Sequence, residues 1–110
     1  MEIRVSEEVG FVVLAPAGRL NIESAEAFRQ EYQRHLDAGK THFVVDLGTT
    51  EYIDSSGLGA LIGLIKRLNA RGGTVRICNV PPLIQNIFEL TRLNLVLDLR
   101  PSRAEALVAG

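Results

Sequence analysis

The chain has one cysteine, Cys78, so no internal disulfide can form. It has two histidines, His35 and His42, and neither has a partner at metal-ligand spacing. An excess of charge is also missing. The 12 Lys and Arg against 13 Asp and Glu leave a net charge of -1. That balance argues against a phosphate-backbone binder, so no direct nucleic-acid partner is expected. The apolar runs are short and interrupted, so membrane insertion is not expected. The opening Met1-Glu2-Ile3-Arg4 starts a strand pattern rather than a charged leader, which points to a cytoplasmic protein. The Walker pattern and the longer dinucleotide fingerprint are both absent. No Ser-His-Asp or Cys-His set can be assembled, so neither an enzyme nor a cofactor is expected. Repeats, linkers and low-complexity segments are lacking too. What is present is a globular composition, 46% hydrophobic and 23% charged. At 110 residues this predicts a single domain over 1-110.

Periodicity supplies the elements. Ile3 and Val5, then Phe11 to Ala15, read as two strands about a turn at Glu7-Glu8-Val9-Gly10, a β-hairpin. Pro16 and Gly18 are expected to end the second strand. Ala25, Phe28, Tyr32 and Leu36 fall at helical spacing, with Asn21 or Ser24 as cap and Asp37-Ala38-Gly39 as stop. His42 to Leu47 reads as a buried strand, broken by Gly48-Thr49-Thr50.

A second helix is expected over Leu58 to Ala70, with a stripe of Leu58, Leu61, Ile62, Ile65 and Leu68. Thr74 to Cys78 is the next strand. Pro81-Pro82 opens a third helix with Leu83, Ile84, Ile87, Phe88 and Leu90 on its apolar face. Leu95-Val96-Leu97 reads as the last strand and Pro101 to Val108 as a final helix. The order is β-β-α-β-α-β-α-β-α. It implies an α/β fold: a mixed sheet, hairpin plus parallel strands, with helices packed against it.

The unusual stretch is Tyr52-Ile53-Asp54-Ser55-Ser56-Gly57-Leu58-Gly59, between a strand and the second helix. Unpaired N–H groups and the positive dipole end at a helix start suit a phosphate or a modified serine. Gly57 and Gly59 would let another backbone come close. Against this stands ordinary capping, which uses the same Asp, Ser and Gly and is the commoner explanation of such residues. Asp46 and Asp54 are the one carboxylate pair to consider, though two acids in one βα region are common without catalysis. Cys78 reads as a small buried hydrophobe, and both histidines as surface residues.

Val44-Val45-Asp46-Leu47, the Tyr52 to Gly59 run and Gly72-Gly73 together resemble the STAS domain, most closely that of the bacterial anti-sigma factor antagonists. Gly18-Arg19-Leu20-Asn21 is similar to the Gly-x-Leu-Asp that precedes the family's first helix, with Asn21 where the family usually has Asp. Ile87 to Leu93 is similar to its third-helix segment. The likeness covers nearly the whole chain. It implies a switch: the unmodified protein binds an anti-sigma factor that is also a serine kinase, and the sigma factor is released. The kinase phosphorylates the serine after the aspartate, here Ser55, with Ser56 as second candidate and Ser56 otherwise capping the helix. A metal-dependent, PP2C-like serine phosphatase resets the protein. The partner-binding residues so implied are Asn21, Asp54, Ser55, Ser56, Gly57, Leu58 and Gly59. A STAS scaffold in a stress-sensing complex or a transporter, and a nucleotide-binding STAS protein, are the alternative readings.

Overall fold

The computed structural model describes residues 1-108. Six strands and four helices form a mixed sheet with helices packed against it. The hairpin forms as expected: β1 (Glu2–Glu8) pairs antiparallel with β2 (Phe11–Leu20). Val9 and Gly10, both at positive φ (52° and 84°), make the two-residue turn whose twist suits a hairpin. Then come α1 (Ala25–Asp37), β3 (His42–Asp46), β4 (Thr50–Ile53) and α2 (Ser55–Ala70). The chain continues through β5 (Thr74–Cys78), α3 (Pro82–Leu90), β6 (Leu99–Arg100) and α4 (Arg103–Ala106). The strands run β1-β2-β3-β5-β6, and β4 pairs with β2 off that path. Every pairing except β1 with β2 is parallel.

Three expectations need correction. First, β2 does not stop at Pro16. Its pairing with β3 ends at Leu14 and its pairing with β4 begins at Gly18. Pro16 occupies the gap between two partners, where its missing N–H costs no ladder bond, and its carbonyl accepts from the Thr50 hydroxyl at 2.7 Å. Second, β4 is an additional strand, so the order is β-β-α-β-β-α-β-α-β-α. Third, Leu95-Val96-Leu97 is not a strand. Arg92, in the left-handed region at φ 61°, ends α3, and Leu93–Leu95 is a 3₁₀ turn that leaves Leu95 and Val96 exposed. The last strand lies further on, where Leu99 and Arg100 pair with Ile77 and Cys78.

The main core lies between the sheet and helices α1, α2 and α3. The α1 stripe is buried as read: Ala25, Phe28, Tyr32 and Leu36. In α2 the fully buried apolar side chains are Ala60, Leu61, Leu64 and Leu68, while Ile62 and Ile65 are half-buried. In α3 only Ile84 and Phe88 are buried; Leu83 and Leu90 face outward. A smaller cluster of Phe11, Val13, Val44, Cys78 and Ala106 packs α4 on the other face. Arg76 crosses that face, donating to the Ala106 carbonyl at 2.9 Å with its guanidinium over the Phe11 ring. No helix among the described residues is long and apolar enough to cross a membrane.

Candidate functional site

The site is the junction of β4 and α2. The helix begins at Ser55, three residues earlier than its apolar stripe suggests. Asp54 is the N-cap, so that role does not fall to Ser56, which stands in the first turn. The Asp54 Oδ1 accepts from the Gly57 N–H at 2.9 Å, satisfying one orphan donor of the helix start. Its Oδ2 reaches across to the loop after β2 and accepts from the Ile22 N–H at 3.1 Å. Its own N–H donates to the Leu20 carbonyl at 3.2 Å. One residue therefore fixes helix, loop and strand end together.

Gly57 completes the junction. A Cβ there would lie 2.1 Å from the Leu20 carbonyl oxygen, so no other residue lets α2 ride directly on the end of β2. Gly57 is buried, and its bare Cα serves this internal contact. Leu58 is half-buried and packs against the core. Ser55 and Gly59 are exposed and Ser56 is half-buried. Ser55 thus presents its hydroxyl from the first helical position, at a positive dipole end with no acidic residue in the first turn.

The neighbouring loop is held from within. The Asn21 Oδ1 accepts from the N–H groups of Glu23 (3.0 Å) and Ser24 (3.2 Å). The Ser24 hydroxyl donates to the Arg19 carbonyl at 2.6 Å. Ser24 occupies the N-cap position of α1 without a side-chain capping bond of its own. Asn21 is half-buried with its oxygen turned to the loop backbone. Ile22, beside Asp54, is 74% exposed. Next to it Arg19 lies over the Tyr52 ring at 5.3 Å, a pair set by the β2–β4 register. Ile22 was not singled out from sequence, and Arg19 and Tyr52 figured there only as members of two separate motifs. Ile22 joins the site through a loop-to-helix bond spanning 32 residues, and the other two through the β2–β4 pairing.

The other reactive groups lie elsewhere. Asp46 accepts from the Gly48 N–H, the Asn79 amide and Arg103 Nε, the last at 2.9 Å. Arg103 also meets Glu8 at 3.2 Å, and its hydrogen bond with Asp46 raises its pKa. Asp46 and Asp54 therefore serve different junctions. Cys78 is buried and free, and burial, with Asp46 adding to it, pushes its thiol up to about 12. His42 is exposed, with its ring against Phe11. His35 is half-buried, with Nε2 3.2 Å from Glu31 Oε1. No group of three or more metal-binding side chains occurs among the described residues.

A family model described as the STAS domain matches residues 1-106. The anti-sigma F factor antagonist of Paenibacillus polymyxa is 23% identical over 108 residues, covering 97% of this chain and 92% of that protein. The Thermotoga maritima protein TM1081 superposes with a TM-score of 0.91 at 24% identity, covering 96% of this chain and 91% of that one. The Bacillus cell fate determinant SpoIIAA in its phosphorylated form superposes with a TM-score of 0.79 at 21% identity, covering 96% of each chain.

Proposed function

The chain belongs to the STAS domain family, and from that premise we propose that it is an anti-sigma factor antagonist switched by phosphorylation of Ser55. The unmodified protein binds an anti-sigma factor serine kinase in the cytoplasm and so releases the sigma factor. The modified protein lets go, and a metal-dependent serine phosphatase restores it. The single domain acts by binding and carries no reaction of its own. The observation that carries this reading is the exposed Ser55 at the first position of α2, beside an exposed Ile22 and locked from beneath by Asp54 and Gly57. The names of its relatives support it.

The physics of the switch is local. A phosphoserine carries roughly -1.5 to -2 charges and three acceptor oxygens. Within the monomer that charge is favoured by the helix N-terminus. In a packed interface it must be desolvated next to the Asp54 carboxylate, whose two oxygens already hold backbone N–H groups and whose charge is fixed in place. The fold need not change for the partner to be lost, since each tenfold in affinity is about 1.4 kcal/mol. Asn21 in place of an acid removes one negative charge near this point and keeps the loop capped.

Incubation with a cognate anti-sigma factor serine kinase and ATP, followed by mass spectrometry, is expected to place one phosphate on Ser55. Ser55→Ala should keep binding the kinase and Ser55→Asp should lose it. Phosphate on Ser56 instead, or equal binding by both variants, would overturn the assignment.

A further inference from the structure

From Ser55 the surface of α2 continues along one i, i+4 row through Gly59 and Gly63 to Arg67. Beside the row, between α1 and α2, lies a cleft of about 230 Å³ lined by Glu26, Arg29, Gln30, Tyr32, Gln33 and Arg67. A Cβ on Gly63 would lie 3.0 Å from both Arg67 Nη1 and the Tyr32 hydroxyl oxygen, so these two polar ends converge over its bare Cα. Arg29 closes the other end, its Nη2 3.8 Å from where a Cβ on Gly59 would be.

Tyr32 is 1% exposed, and its buried hydroxyl has no acceptor for its proton, since Arg29 beside it can only donate to the phenol oxygen. Of its three charged neighbours, Arg29 and Arg67 carry donors only, and the carboxylate of Glu26 is turned to Arg29. Burial holds the phenol above its ordinary pKa against the pull of both arginines, so the group stays an O–H donor. An enclosed donor without an acceptor is uncommon and destabilising. Here it stands with two guanidinium groups around one opening, and an anion is what all three would accept. The charge count selects the anion. Glu26, 3.9 Å from Arg29, offsets one of the two positive charges. The remaining single charge matches a monoanion, while a phosphate dianion would exceed it and face Glu26.

We propose that this cleft binds a carboxylate, supplied by an acidic side chain of the protein that docks over Ser55. The source of the carboxylate rests on the function proposed above. Gly63 is about 12 Å along the helix from Ser55 at 1.5 Å per residue. A standard interface covers about 800 Å² per partner, a patch about 16 Å in radius, so a protein centred on Ser55 also covers the cleft. An Asp or Glu entering it takes a charge-assisted bond from a guanidinium and accepts the Tyr32 O–H. A partner with an apolar group at that point would leave the Tyr32 O–H without an acceptor and strip water from both guanidinium groups, so the cleft discriminates between partners.

Two measurements test this. In the first, the chain alone is titrated by NMR with the sodium salt of N-acetylglutamate α-N-methylamide, a monoanion that presents only the side-chain carboxylate, against equal sodium chloride, with sodium phosphate as comparison. Saturable shifts are expected at the Arg29 and Arg67 side chains and the Tyr32 ring, and are lost in Tyr32→Phe, which keeps the buried ring. Absence of saturation overturns the site, and tighter binding of phosphate than of the N-methylamide overturns the carboxylate. This arm needs no partner, so it stands or falls apart from the Ser55 switch. In the second, Arg67→Gln is expected to weaken binding to the anti-sigma factor kinase about tenfold, as loss of a charge-assisted contact would. Wild-type affinity for Arg67→Gln, where Ser55→Asp abolishes binding, would overturn the partner's side chain as the source.

Discussion

Gly57→Ala is the sharpest test of how the Ser55 junction is built. The new methyl would start 2.1 Å from the Leu20 carbonyl oxygen, whereas real Cβ atoms essentially never come under 3.0 Å. The neighbour is strand backbone rather than a flexible side-chain tip, so α2 and the end of β2 must part by nearly an ångström. Three hydrogen bonds cross or border that gap: Asp54 N–H to Leu20, Ile22 N–H to Asp54, and Gly57 N–H to Asp54. Each is worth about 1 kcal/mol net, and overpacking adds about 1–3 kcal/mol. Alanine returns about 1 kcal/mol as a better helix former. If about two of the three bonds are lost, the net cost is about 2–4 kcal/mol. At about 4 °C per kcal/mol for a domain of this size, melting falls by about 8–16 °C. Gly59→Ala is the control. Its Cβ would make an ordinary 3.8 Å contact with Arg29, so it should melt at or above wild type. Differential scanning calorimetry of the pair decides the matter. A Gly57→Ala protein that melts with the wild type would refute the contact and, with it, the account of how Ser55 is positioned.

Two further outcomes follow from groups outside that junction. The Cys78 thiol is buried and its pKa is pushed up to about 12, so the folded protein should not react with a thiol reagent at pH 8 until it is unfolded. Because the folded pKa lies above the unfolded one, its contribution to stability is complete below about pH 8.5 and is lost as pH rises towards 12, by at most about 1.4 kcal/mol per pH unit. Urea midpoints for wild type and Cys78→Ala that fall in parallel over that range would refute this. Arg103→Met removes the pairing of α4 with Asp46 and Glu8 and should cost about 1–3 kcal/mol, since the guanidinium is partly open to water. Hydrogen exchange should quicken first in Arg103–Ala106, and unchanged exchange there would refute the role of Arg103 in holding the helix.

Legibility in the sequence followed the range of the interactions. Helix α1 could be read because all four stripe residues meet one continuous core. The N-terminal hairpin could be read because its turn is local. Strand β4 was missed because it has four residues, two of them exposed, and is defined by pairing with β2 rather than by its own pattern. The last strand was misplaced because Leu95-Val96-Leu97 is apolar, yet Leu95 and Val96 face solvent and the shorter Leu99-Arg100 finds the free edge of β5. Leu90 misled for the same reason, at 84% exposed. The Asp54-Ser55-Ser56-Gly57 chemistry stood out locally, but the partner of Gly57 is Leu20, far back in the chain. The meeting of Tyr32 with Arg67 depends on how two helices pack, which no spacing within either one reports.

That distance in sequence bears on when the Ser55 handle exists at all. Strand β2 pairs with β1, β3 and β4 in turn, and its last residue is the seat of α2. The bond from Ile22 to Asp54 closes a loop of 32 residues, so it depends on the packing of the intervening β3 and β4 rather than on local sequence. A chain caught part-way through folding can hold an isolated α2 and still lack the loop that stands beside Ser55. Any partner that contacts loop and helix together therefore meets a surface that only the folded chain presents.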